Sequence, residues 1–131
     1  MVNIIKKEMI KKIDATTNGR IDTQEEAFNH LIFWSWNADR HTTAKNASDA
    51  FNIKMKGFNQ IERLQIQIIR TFWRVSLEGF KNYEMMLDSL KNRGWNVVHG
   101  YINQKGVYIS STWLKNVWQY IQEESNKINQ W

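Results

Sequence analysis

The chain has 131 residues, of which 42% are hydrophobic and 13% aromatic, and it contains seven Trp and no Cys. This length and aromatic content argue against a disordered chain and predict a single domain over 1–131 with a buried core. The lack of Cys excludes disulfides, thiolate catalysis and Cys-based zinc sites, while a formal net charge of +5 is compatible with a polyanionic partner.

Two features of the sequence bear on its location. Residues 1–8 lack the apolar core of a signal peptide. The longest apolar cluster, 31–36, is too short to span a bilayer. We therefore expect a cytoplasmic protein with no membrane partner.

Glycine, capping residues and periodicity delimit the helices, because the chain contains no Pro. The first helix is predicted over about 3–13 and is followed by a turn at 18–19. The second helix begins at about 22–23 and fades near 37–41. A weaker third helix is predicted over about 43–56.

The strongest apolar periodicity runs from Gln60 to Arg93, where apolar residues recur every three or four positions. It predicts one long central helix over about 60–93, ended by Gly94. Gly79 leaves open whether this helix is continuous.

The last third of the chain predicts a β-hairpin over about 95–110, followed by a helix that Ser111 or Thr112 caps. The predicted fold is therefore mostly α. It is a single compact helical domain with a long central helix and one short β-hairpin.

Residues 14–25 carry oxygen-bearing side chains at regular spacing. The first residue of this stretch is Asp14, the sixth is Gly19 and the twelfth is Glu25. The pattern resembles the EF-hand calcium loop, in which alternate residues, a turn-forming Gly and a final bidentate Glu hold Ca²⁺. The resemblance implies calcium as cofactor and the ligand set Asp14, Thr16, Asn18, Arg20 through its backbone carbonyl, Asp22 and Glu25. The alternative is two helices joined by a turn whose polar residues only cap the helices.

Two groups of basic residues indicate a second hypothesis, nucleic-acid binding. The first group forms a ridge about 27 Å long on the predicted helix 60–93, at 1.5 Å per residue. The second follows from segment 81–108, which resembles a winged helix: a helix, a glycine, and a hairpin that lies along the DNA backbone. The ridge comprises Arg63, Arg70, Arg74 and Lys81, and the wing contacts would be Asn82, Lys91, Arg93 and Lys105. For both groups the alternative is a solvated surface.

The sequence contains no phosphate-binding glycine loop and no nucleophile elbow, so we expect a small non-enzymatic binding protein. The leading hypothesis is an EF-hand-like calcium-binding interaction protein with an unidentified protein partner. The first alternative is a basic nucleic-acid-binding regulatory protein of the winged-helix or helix-ridge kind. The second alternative is a protein-binding inhibitor or assembly factor.

Overall fold

The computed structural model describes residues 2–17, 19–39, 55–79 and 82–129, and the mostly helical fold class is confirmed. Within these residues the chain forms five helices and one small antiparallel sheet. Their bounds are α1 Lys7–Ala15, α2 Gln24–Asp39, α3 Gln60–Leu77, α4 Tyr83–Asn92, β1 Val97–Val98, β2 Tyr101–Gln104, β3 Val107–Ile109 and α5 Ser111–Asn129. None of these described helices is long and apolar enough to cross a membrane.

Backbone contacts divide the chain into two compact units. The N-terminal unit is Ile5–Arg63, and the C-terminal unit combines Met1–Ile4 with Leu64–Trp131. The boundary between them falls inside α3. That residues 1–131 form a single domain stays a prediction.

In the N-terminal unit, α1 and α2 pack against each other, each through apolar residues three or four positions apart. The buried residues are Met9, Ile10 and Ile13 of α1 and Ala27, Phe28 and Leu31 of α2. α1 begins at Lys7, later than the predicted start near residue 3. Ahead of the helix, the amide of Ile5 donates to Oε1 of the buried Gln24 at 2.9 Å, so this amide is satisfied outside the helix. The helix predicted over about 43–56 lies outside the described residues except for 55–56, which form part of a turn.

The start of α3 is held by reciprocal hydrogen bonds between Asn59 and Glu62, which form a capping box. The amide of Glu62 donates to Asn59 Oδ1 at 2.9 Å, and the amide of Asn59 donates to Glu62 Oε1 at 2.8 Å. Lys12 Nζ lies 2.6 Å from the same oxygen of Glu62 and 5.9 Å from the centre of the Phe58 ring. The buried carboxylate of Glu62 therefore links α1 to the first turn of α3.

The segment predicted as one long helix over about 60–93 is two helices, α3 and α4. α3 ends at Leu77, and Gly79 has a φ of +97°, in the left-handed region where helices terminate. α4 has its own cap, because Asn82 Oδ1 accepts a hydrogen bond from the amide of Glu84 at 2.7 Å. The apolar periodicity continues across the break, which is why the sequence predicted one helix.

The predicted hairpin over about 95–110 is present, and a third strand extends it: β2 pairs with β3 and, at its other edge, with β1. β1 packs against α4, and β2 packs against α5. The cap of α5 is Ser110 rather than either of the two residues predicted, because its Oγ accepts from the amide of Trp113 at 3.1 Å. The indole Nε1 of Trp113 donates to the carbonyl of Ile4 at 3.0 Å, which ties the first residues of the chain to α5.

Replacing Phe72 by Ala should destabilise the protein by roughly 3–5 kcal/mol, because this fully buried ring would leave a cavity against α3. The matched control is Leu77→Ala. Leu77 lies on the same helix but is 61% exposed, so we expect a loss below about 1 kcal/mol. Urea denaturation followed by circular dichroism measures both free energies of unfolding. Equal losses in the two variants would contradict the burial described for α3.

Candidate functional site

The segment 14–25 joins α1 to α2, and it forms the helix–loop–helix that its pattern predicts. Oδ1 of Asp14 accepts a hydrogen bond from the amide of Ile21 at 2.8 Å. This bond joins the two ends of the loop, and the side chain of Ile21 is buried. Asp14 therefore holds the loop closed through an ordinary backbone contact.

Most of the other predicted calcium ligands have contacts of their own or are exposed. Asp22 Oδ2 pairs with Arg20 Nε at 2.8 Å on an exposed surface, and the hydroxyl of Thr16 donates to a carbonyl of α1 at 2.7 Å. Glu25 is exposed in the first turn of α2, and Asn18 lies outside the described residues. No group of three His, Asp or Glu residues able to hold a metal ion occurs in the described parts of the chain. The calcium site stays a prediction.

The predicted basic ridge is not one continuous surface of one helix. Arg63 Nε donates to the carbonyl of Phe58 at 3.1 Å and belongs to the N-terminal unit. Arg70 and Arg74 lie on the part of α3 in the C-terminal unit, and Lys81 lies outside the described residues. Because α3 ends at Leu77, the ridge about 27 Å long that a single helix would present does not form.

The predicted wing contacts lie along α4 and the sheet. Asn82 is occupied as the cap of α4, and Arg93 Nη1 donates to the carbonyl and the hydroxyl of Ser89, each at 3.3 Å. Lys91 is exposed in the last turn of α4. Lys105 is exposed in the turn between β2 and β3, at the tip of the hairpin.

The β-meander, defined as β1, β2 and β3 with their two turns, is shaped by two-residue turns in which both residues have positive φ. The first turn is His99 at 48° and Gly100 at 85°, and the second is Lys105 at 53° and Gly106 at 82°. Turns of this kind match the right-handed twist of antiparallel strands. A hydrogen bond also stabilises the β-meander: the backbone amide of Asn96 donates to Oε1 of Gln104 at 3.0 Å.

The two faces of the β-meander differ in chemistry because side chains alternate along each strand. Ile102 and Ile109 face each other across the register and are both buried. The opposite face carries Tyr101, Asn103 and Tyr108, which we call the tyrosine face. The rings of Tyr101 and Tyr108 lie 5.0 Å apart at an interplanar angle of 42°, and Tyr108 is 58% exposed.

The tyrosine face was not predicted from the sequence. Its signal was the period-two alternation in Tyr101-Ile102-Asn103 and Tyr108-Ile109. The pattern shows that the tyrosines share a face. It does not show that the isoleucine face is the one that packs against helices.

The β-meander lies within a segment that contains no acidic residue. Between Asp88 and Glu123 the sequence has four cationic side chains and no Asp or Glu. The segment 89–122 therefore carries a formal charge of +4, out of +5 for the whole chain. The cationic side chains are Lys91, Arg93, Lys105 and Lys115.

A polar cleft of about 380 Å³ lies between α4, the first turn of the β-meander and the start of α5. Lys91, His99 and Lys115 line it, together with Glu84 and Tyr83 of α4. Burial raises the pKa of the Tyr83 phenol, and the charge of Glu84 adds to the effect. Opposite charges therefore meet in this cleft, so it presents no uniform potential to a charged ligand.

Comparisons with known proteins do not identify a family. No family model matches the sequence, and no curated protein or solved structure matches it significantly.

The contacts of the 14–25 loop predict different results for its two terminal acids. Asp14→Ala should cost about 1 kcal/mol without calcium, because the amide of Ile21 loses its acceptor. Glu25→Gln should leave the free energy of unfolding unchanged without calcium, because the side chain is exposed. Thermal denaturation measures both.

Repeating these melts with millimolar calcium tests the metal site itself. Calcium bound by the loop would raise the melting temperature with the logarithm of its concentration. Glu25→Gln would remove that rise, since it removes the charged bidentate ligand. A melting temperature that calcium leaves unchanged would reject the calcium hypothesis.

Proposed function

We propose that the protein is a non-enzymatic nucleic-acid-binding protein and that the β-meander is its contact element. The observation that carries this proposal is the acid-free segment 89–122, which builds the β-meander and places Lys105 at the tip of its hairpin. Phosphate contacts from Lys and Arg supply most of the affinity for nucleic acids, and neighbouring carboxylates would weaken them.

The charges of α4 favour the hairpin over the helix as the contact element. In winged-helix proteins a helix enters the major groove. Here the predicted reading helix exposes Glu84 and Asp88, which would repel phosphates. The hairpin has no such acids. Of the two elements by which a winged helix contacts DNA, the hairpin therefore fits this role better here than the helix does.

The calcium hypothesis has less support in the contacts. Asp14 and Asp22, two of its three carboxylates, are already engaged within the loop. The side chain of Lys105 enters no ion pair with another described residue. A phosphate is the partner that its position and charge fit.

The proposal predicts that binding to an oligonucleotide weakens steeply with salt, because phosphate neutralisation releases counterions. Changing Lys91 and Lys105 together to Gln should reduce the slope of log affinity against log salt by roughly one unit per lost contact. The substitution removes the charge and keeps most of the side chain. Fluorescence anisotropy with a labelled oligonucleotide at several salt concentrations measures this slope.

The matched control is the pair Lys7→Gln and Lys11→Gln, which removes the same charge from an exposed face of α1. We expect the control pair to leave the slope nearly unchanged. Equal effects of the two pairs would mean that net charge alone causes binding. As a further variant, Arg74→Gln tests α3. If it alone weakened binding, while both lysine pairs had no effect, the interface would lie on α3. The absence of binding at low salt would reject the proposal.

A further inference from the structure

Resting on this proposed function, we infer that the tyrosine face stacks against unpaired bases, so that the preferred ligand is single-stranded nucleic acid. The face is defined by Tyr101, Asn103 and Tyr108. Stacking on this face would make single-stranded nucleic acid, rather than a duplex, the ligand of the β-meander.

The tyrosine face combines the exposed ring of Tyr108 with the half-buried ring of Tyr101, and both lie on paired strands. Tyr108 is 58% exposed, and its ring lies 5.0 Å from that of Tyr101 on the neighbouring strand. The two rings are diagonal neighbours, since Tyr108 pairs with Asn103 and Tyr101 lies two residues earlier on β2. Both strands are held in register by the turn at Lys105 and Gly106. An aromatic surface that is already ordered loses little conformational entropy when a planar ligand binds.

The position of Lys105 matches one strand of nucleic acid on this surface. Lys105 precedes Tyr108 by three residues, a backbone reach of at most about 11 Å. A strand whose base stacks on Tyr108 therefore brings a neighbouring phosphate within reach of the Lys105 ammonium group. Aromatic side chains for stacking combined with cationic groups for the phosphates are found in proteins that bind single strands.

Stacking of a base on an aromatic side chain distinguishes a single-stranded ligand from a duplex. In a duplex the faces of the bases are covered by their neighbours, and a protein reaches only their edges and the phosphates. A single strand offers uncovered faces to an aromatic side chain. A protein partner would also bury tyrosines, but the segment 89–122, which contains no Asp or Glu and carries a formal charge of +4, favours a polyanion.

The experiment compares three variants of Tyr108 on a short single-stranded DNA, its RNA counterpart and the duplex of the same sequence. Tyr108→Phe keeps the ring and should bind the single strand like the parent protein. Tyr108→Ile keeps an apolar side chain suited to a strand but has no ring, and Tyr108→Ala has neither. Both should weaken single-strand binding about tenfold, within the range measured for loss of one stacked base.

Three controls separate stacking from folding and from charge. Circular dichroism and the melting temperature report whether each variant folds. Leu77→Ala removes an equally exposed apolar side chain from α3 and should leave the affinity unchanged. The salt slope should be the same for Tyr108→Ile as for the parent protein, because tyrosine contributes no charge to phosphate neutralisation.

The outcomes for the inference and for the proposed function are distinct. If Tyr108→Ile binds the single strand as well as the parent does, or if the duplex binds more tightly, stacking is wrong. The proposed function still stands in that case if the lysine pair lowers the salt slope. If no oligonucleotide binds at low salt, both the inference and the proposed function fail.

Discussion

The candidate site depends on the backbone of two turns, His99-Gly100 and Lys105-Gly106, in which every residue has positive φ. These turns impose the register that pairs β2 with both of its neighbours. A register shift of one residue would send the isoleucines to solvent and the tyrosines to the interior. The tyrosine face is exposed because Ile102 and Ile109 occupy the buried face, so the core and the surface of the β-meander are determined together.

Much of the helical structure could be predicted because its signals are local. α1, α2 and α5 follow the apolar periodicity of the sequence, and hydroxyl side chains cap the starts of α2 and α5. Whether the helix breaks between α3 and α4 was left open by the sequence, because Gly79 marks a possible end of a helix without fixing one. A glycine inside a helix costs only about 1 kcal/mol relative to alanine, so it permits a break without requiring one. The two-residue β1 was not predicted, since a strand so short has no periodicity to read.

The candidate sites were harder to predict because they depend on the direction in which side chains point. The spacing in 14–25 placed carboxylates at the right intervals for calcium. Spacing does not reveal that Asp14 accepts from the amide of Ile21 or that Asp22 pairs with Arg20. The basic ridge assumed one helical phase from Arg63 to Lys81, and that assumption fails where α3 ends. To predict the tyrosine face, one would have needed to know which side of the sheet packs against the helices.

The local preferences of the second turn give an independent reason to assign a role to Lys105. A residue at positive φ is disfavoured unless it is Gly, or Asn, Asp or His, whose short polar side chains tolerate this region. His99 in the first turn belongs to the tolerated group, but Lys105 at +53° does not, and an ordinary residue there costs about 1–2 kcal/mol.

The charges of α4 stabilise their own helix, since Glu84 lies in its first turn and Lys91 in its last. Lys105 belongs to no helix and enters no ion pair with a described residue, so its charge does not offset this cost within the fold. A residue type that opposes the local preference of its backbone is expected where a surface serves binding, and Lys105 stands at the end of the β-meander beside the tyrosine face.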